Sequence, residues 1–185
     1  MPPRKPRTTP SEIKASPVRL WAPWRSAYVA STRAPKDSGC IFCFDRLTAR
    51  QKRQRLILHT NQHALVMLNR YPYTSAHLMV APRRHVASPE LLERDERAVI
   101  DELIIHCIKE LRAAMRPSGF NVGANLGRSA GAGVADHMHW HVVPRWDGDS
   151  NYMTTISSVR VLSQSLEQCF DSLAPRFKAI DITLS

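Results

Sequence analysis

Asp136-His137-Met138-His139-Trp140-His141-Val142-Val143-Pro144-Arg145-Trp146 sets three histidines alternately with large apolar residues and closes on Pro-Arg-Trp. Alternation with a period of two predicts a half-buried strand, with His137, His139 and His141 on one face and Met138, Trp140 and Val142 on the other. One face carries chemistry; the other enters a core.

Working outward, residues 120–126 (Phe-Asn-Val-Gly-Ala-Asn-Leu) predict a preceding strand, and residues 127–133 a loop of small residues. Further upstream, the apolar runs 56–59 and 63–68 are joined through Thr60-Asn61-Gln62 and predict a hairpin; residues 69–75 read as a loop and residues 77–82 as a third strand stopped by its proline. Ser88-Pro89 predicts a helix start, with Ser88 as cap and Glu90 at the positive end of the dipole. Val99, Ile100, Leu103, Ile104, Cys107, Leu111 and Met115 then recur at helical spacing up to Pro117-Ser118-Gly119, with a break near residues 93–96. Cys107 falls on that stripe and reads as core. Downstream, residues 148–151 predict a turn, and Ser163 is expected to cap a last amphipathic helix through Leu166, Cys169, Phe170 and Leu173. Five strands with helices that do not alternate strand by strand indicate an α+β fold: a five-stranded, largely antiparallel sheet with one long and one or two shorter helices.

A chain of 185 residues, 43% of them hydrophobic, suits a single domain with a substantial core. Residues 1–17 are rich in Pro, Lys, Arg, Thr and Ser and are expected to form a disordered basic tail, leaving residues 18–185 as one domain with an N-terminal arm that carries Trp21 and Trp24. The net charge of +10 is unevenly placed: residues 1–55 hold 13 Lys and Arg against 3 acids, and residues 56–185 hold 13 against 13. The surplus belongs to the tail and to residues 46–55, so it argues against nucleic acid as the main substrate and reads as a solvated rim. No apolar run reaches the ~20 residues of a membrane helix, and the first residues lack a secretory signal, which predicts a cytoplasmic protein with no membrane partner.

Residues two apart on a strand lie ~6.6 Å apart, so His137 and His141 would be separated by ~13 Å; two nitrogens on one zinc lie within about 3.5 Å, and the trio does not share one metal. Nucleotidyl transfer suits the pattern better. A neutral imidazole is a nucleophile towards phosphorus when its far nitrogen carries a held proton, and the charge that develops needs donors nearby. His141 is placed to donate to a phosphate oxygen or leaving group, Asn125 presents an amide from the adjoining strand, and the loop through Gly131 and Gly133 offers backbone N–H groups to an anion. The competing reading is a wet surface of histidines. Cys40-Ile41-Phe42-Cys43, in a chain without a secretory signal, reads as metal-binding or redox-active before disulfide, with metal-free packing a third possibility. His59, His63, His77 and His106 read as surface or structural residues.

These residues resemble the histidine triad (HIT) family, whose motif is His-φ-His-φ-His-φ-φ with φ apolar, here His137 to Val143. Cys40-Ile-Phe-Cys43, residues 77–85 (His-Leu-Met-Val-Ala-Pro-Arg-Arg-His) and Asn125-Leu-Gly precede it in the family's order. Residues 130–133 and 144–152 make the chain most similar to the branch that includes diadenosine tetraphosphate phosphorylases. The resemblance implies that His139 attacks the α-phosphate to form a nucleotidyl-histidine, that His141 contacts the phosphate, and that the His137 carbonyl holds the far nitrogen of His139. Asn125 would bind a phosphate oxygen, Asn69 the ribose hydroxyls and Met67 the base. Where many members carry Gln-Ser, this chain has Gly133 and Val134; loop amides or Ser129 are the groups present to substitute. Cys40, Cys43, His85 and His137 would hold a structural zinc. A homodimer joining two sheets, with the long helices near the interface, is also implied. A nucleoside phosphoramidate hydrolase on the same machinery, and a non-catalytic nucleotide or nucleic-acid binding protein, are the alternatives.

Overall fold

A computed structural model of the chain describes residues 39–149, 162–178 and 180. The predicted tail over 1–17, Trp21 and Trp24 of the arm, and the end of the predicted turn at Ser150 and Asn151 lie outside the described residues.

Five strands, β1 (Ile57–Thr60), β2 (Ala64–Leu68), β3 (Leu78–Pro82), β4 (Gly119–Ala124) and β5 (Trp140–Arg145), form one sheet in the order β1-β2-β3-β5-β4, each neighbouring pair antiparallel. The helices are α1 (Ala49–Gln54), α2 (Arg94–Met115) and α3 (Leu166–Leu173), so the architecture is α+β as the sequence predicts. β2 and β3 are apolar without interruption because both of their faces are covered. On one face Val66, Leu68, Leu78, Val80 and Val142 meet Val99, Ile100, Leu103, Cys107 and Leu111 of α2 and Cys169, Phe170 and Leu173 of α3. Each fully buried aliphatic side chain there contributes about 1.5–3 kcal/mol. Burial also pushes the Cys107 thiol up, consistent with a core residue. The other face carries a smaller cluster of Ile57, Leu65, Met67, Met79 and Ala81 under Phe42.

Register places the site on this second face. Ile57 pairs with Met67, Met67 with Met79, Met79 with His141 and His141 with Gly123, so one row of side-chain positions crosses all five strands. His141 stands in that row. The helix-packed face is thus spent on stability while the opposite face presents the histidine.

The structure corrects three local readings and adds one helix. The helix does not start at Ser88: Pro89–Leu91 form a 3-10 turn, the Ser88 hydroxyl donates to the Glu90 carboxylate instead of capping, and α2 begins after Glu93, whose N–H donates to Glu96 Oε2 at 2.8 Å. The break expected near residues 93–96 is that junction. The last helix is capped by Ser165, which accepts from Gln168 N in a capping box, and not by Ser163. α1 arises in a stretch with no apolar stripe, from a Thr48-x-x-Gln51 capping box. Finally, β5 begins only at Trp140, so His137 and His139 precede the ladder. Pro82 has no N–H to offer a ladder there, and Met138 N donates to Val86 O at 2.7 Å instead.

Candidate active site and metal centre

Alternation survives without the ladder: Met138 is buried in the helix-side core, and His137 and His139 turn the other way. His139 is 5% exposed, its ring 4.9 Å from those of Phe42 and His141. Its Nδ1 lies 3.1 Å from the His137 carbonyl oxygen, an acceptor only, so a neutral His139 carries its proton on Nδ1 and its lone pair on Nε2. Burial lowers the His139 pKa below that of a free imidazole, opposed by the hydrogen bond to the His137 carbonyl. His141 is lowered to about 4, first by burial and then by repulsion from His139. Both rings are therefore neutral near pH 7, the state that nucleophilic attack requires.

A fourth histidine completes the cluster. His77, read from the sequence as a surface or structural residue, is fully buried, with Nε2 2.9 Å from His141 Nδ1. The Tyr73 N–H donates to His77 Nδ1 at 3.2 Å, the Asn69 amide nitrogen lies 3.3 Å from that atom, and the Tyr73 ring stacks on the imidazole at 4.8 Å. Donors at Nδ1 leave the proton on His77 Nε2, which donates to His141 Nδ1 and so fixes the His141 proton on its Nε2. Backbone geometry thereby sets two tautomers in series. In the sequence His77 opens the 77–85 stretch that carries part of the family resemblance, and as a polar residue it directly precedes the uninterrupted apolar run of β3.

The remaining candidates are more dispersed. Met67 is buried in the row that contains His141. Asn69 accepts from Tyr71 N at 2.9 Å and its N–H donates to the His77 carbonyl at 2.8 Å, which ties it to the loop that carries His77. Asn125 follows β4, its amide 3.5 Å from Gly131 O. The Gly131 N–H is taken by Arg128 O at 2.9 Å within the 127–133 loop, while Ser129 and Gly133 are exposed. His59 and His106 each face a backbone carbonyl, of Phe177 and Arg176, as structural residues do.

Only one triad histidine enters the metal-compatible set. Single ligand atoms of Cys40, Cys43, His85 and His137 lie within 4.8 Å of one another. Cys40 Sγ is 3.2 Å and Cys43 Sγ 3.5 Å from His137 Nδ1, and Cys43 Sγ is 3.2 Å from His85 Nδ1. Tetrahedral zinc with ordinary Zn–S and Zn–N lengths separates sulfur from nitrogen by about 3.6 Å, so two thiols and two imidazoles here fit a closed structural site. The far nitrogen of His137 donates to Pro82 O at 2.9 Å, the orienting contact that a ligating histidine needs. Without a metal, burial and the neighbouring Cys40 hold the Cys43 thiol up, with Arg83 opposing. Phe42 lies between the two centres, 5.1 Å from His137 and 4.9 Å from His139.

A family profile described as the HIT domain matches residues 50–148. The chain is 38% identical over 152 residues to an AP-4-A phosphorylase of Mycobacterium tuberculosis, spanning 80% of this chain and 78% of that protein. It is 32% identical over 82 residues to an adenosine 5'-monophosphoramidase of Schizosaccharomyces pombe, 44% of this chain and 58% of that one. Among solved structures, a Zn-bound histidine triad family protein of Mycobacterium smegmatis superposes with a TM-score of 0.54 at 22% identity, covering 66% of this chain and 83% of its own.

Proposed function

The chain belongs to the HIT domain family, and from that premise we propose that it is a nucleotide-processing enzyme that cleaves dinucleoside polyphosphates, diadenosine tetraphosphate foremost. The observation that carries the reading is the His139 ring, buried and neutral, with Nδ1 against the His137 carbonyl and Nε2 left as nucleophile. His139 Nε2 attacks the α-phosphorus; the P–N bond forms as the bridging P–O bond breaks, and the polyphosphate departs with that electron pair. His141 Nε2–H donates to the phosphate or the departing oxygen. An oxygen of inorganic phosphate or water then attacks the same phosphorus and the P–N bond breaks, restoring His139. Asn125 and the exposed groups Ser129 and Gly133 are assigned to phosphate, Met67 to the base, and Asn69 to the ribose or to holding the His77 loop.

Cys40, Cys43, His85 and His137 are assigned as zinc ligands, a reading supported by their geometry and by the zinc of the M. smegmatis protein. The metal would act as a structural crosslink between the segment through Cys40 and Cys43 and the histidine strand. A homodimer is supported by the edge position of β4, where Val122 is 45% exposed, and by Ile105 of α2, 58% exposed. No helix among the described residues is long and apolar enough to cross a membrane; reduced thiols at the metal site favour a cytoplasmic setting.

Incubation with diadenosine tetraphosphate, with and without inorganic phosphate, and separation of the products is the test. ADP with ATP marks phosphorolysis and AMP with ATP marks asymmetric hydrolysis; both are lost in His139→Ala. No turnover of this substrate alongside turnover of an adenosine phosphoramidate would move the assignment to the second reading, which the S. pombe relative favours.

A further inference from the structure

Residues 46–55 carry much of the chain's basic surplus and take no part in the site above. The fold gathers part of this stretch around a cleft of about 550 Å3. Arg46 and Lys52 line it from this stretch and Arg83 from just after β3, Thr60 and Asn61 add a hydroxyl and an amide, and Phe44 supplies an apolar wall. None of the clustered histidines or cysteines contributes to the lining.

Arg83 is held firmly. Its Nη2 donates to Phe44 O at 2.6 Å and its guanidinium lies 4.2 Å from the centre of the Phe44 ring, with the Arg55 guanidinium 5.8 Å from the same ring. Yet Arg83 Nη1 is buried with no hydrogen-bond partner, alone in this among the buried side-chain nitrogens and oxygens of the described residues. A charged donor that is buried and unpaired is costly, and such a group calls for an explanation in the structure around it. Four other arginines have ion-pair partners: Arg53 with Asp171, Arg84 with Glu96, Arg145 with Asp149 and Arg176 with Glu110. At the cleft the single lining acid, Asp45, forms no ion pair with Arg46, Lys52 or Arg83 among the described residues.

We propose that this cleft is a phosphate-binding site, separate from the histidine cluster, in which Arg83, Lys52 and Arg46 receive a phosphate-class oxyanion. The exposed Arg46 guanidinium can match phosphate oxygens bidentately, Arg83 adds positive charge from the wall of the cleft, Lys52 adds a mobile point charge, and Thr60 and Asn61 offer neutral donors. The oxyanion is free inorganic phosphate or the phosphate chain of a nucleotide, and the inference stands whether or not the histidine cluster has the activity proposed above.

Calorimetric titration of the full chain with inorganic phosphate, and separately with tripolyphosphate, tests it. Lys52→Met and Arg46→Met are each expected to weaken binding roughly tenfold, the loss of one charge-assisted contact, with unchanged turnover of saturating diadenosine tetraphosphate in phosphate-free buffer. Arg83→Met should weaken binding further; because it also removes the Phe44 contact, the two exposed-side variants carry the test if it folds poorly. Sensitivity to Lys52→Met with inorganic phosphate assigns the free anion, and sensitivity with tripolyphosphate alone assigns the chain of a nucleotide. Equal affinities of wild type and Lys52→Met for both probes, or no binding of either probe by wild type, would overturn the proposal.

Discussion

Replacing His77 with leucine should damage His141 without touching it. The imidazole is fully buried, receives the Tyr73 N–H at 3.2 Å and lies 2.9 Å from His141 Nδ1. Leucine fills similar space but leaves a main-chain donor and an imidazole nitrogen unpaired. Unsatisfied buried groups cost about 1–3 kcal/mol each, and relaxation of the 69–77 loop recovers part of this, so a net destabilisation of about 2 kcal/mol is expected in urea unfolding. The catalytic effect has a different cause. Once nothing donates to its Nδ1, His141 is no longer held with its proton on Nε2, and kcat/KM for the cleaved dinucleotide should fall about 10- to 100-fold, the scale seen when the orienting partner of a functional histidine is lost. The donor at Nδ1 also favours neutral His141, which burial already lowers to about 4. Its removal should therefore shift the acid limb of the pH–rate profile upward, towards that of a free imidazole. His77→Gln, which retains an N–H on that side, should restore most of the stability and part of the rate. A His77→Leu enzyme within twofold of wild type in kcat/KM and with the same acid limb would refute the chain of hydrogen bonds from the Tyr73 N–H through His77 that fixes the His141 tautomer.

Stability itself should fall as pH drops from about 6.5 to 4. Burial depresses the folded pKa values of His139 and His141, so the unfolded chain binds more protons within that window; for His141, discounted for its partial exposure, the loss is about 2 kcal/mol, measurable by denaturant unfolding at several pH values. Glu96 and Asp171, whose carboxyls are lowered by Arg84 and Arg53, add a further loss only below their ordinary range. Cys43→Ser should abolish stoichiometric zinc in elemental analysis and lower the melting temperature, and chelation of the wild type should do the same; a metal content and melting temperature equal to wild type would exclude the ligand set. Arg116 ends α2 with φ at +50° and is exposed, so Arg116→Gly should stabilise by about 0.5–1 kcal/mol in thermal or urea unfolding.

Strands were legible because their hydrophobic runs are strong, and the antiparallel sheet followed from the way strands and helices are spaced. Boundaries were less so. Period two is a property of extended chain, paired or not, so the alternation from His137 onward placed Met138 in the core correctly while hiding that pairing with β3 starts only at Trp140. α1 was missed since it buries nothing and its signal is one capping box; Ser163 and Ser165 are both plausible caps, and only Ser165 has Gln168 three residues on. The site divides the same way. The histidines of the triad announced themselves by spacing, whereas His77 lies 64 residues from its partner and Phe42 gains meaning only when the fold lays its ring against His137 and His139. The cleft at Arg83 was invisible for the same reason, since only the fold brings Arg83 to Arg46 and Lys52.

His137 meets both centres through different atoms: its ring faces the two cysteines, and its carbonyl oxygen faces His139. A main-chain acceptor is indifferent to the identity of the side chain above it. Substitution at position 137 can therefore delete the proposed metal ligand while the backbone goes on presenting its oxygen to His139 Nδ1, provided the segment keeps its path through Met138. The proposed metal and the proposed nucleophile therefore depend on residue 137 through separable atoms, ring and carbonyl, and loss of the first need not remove the second.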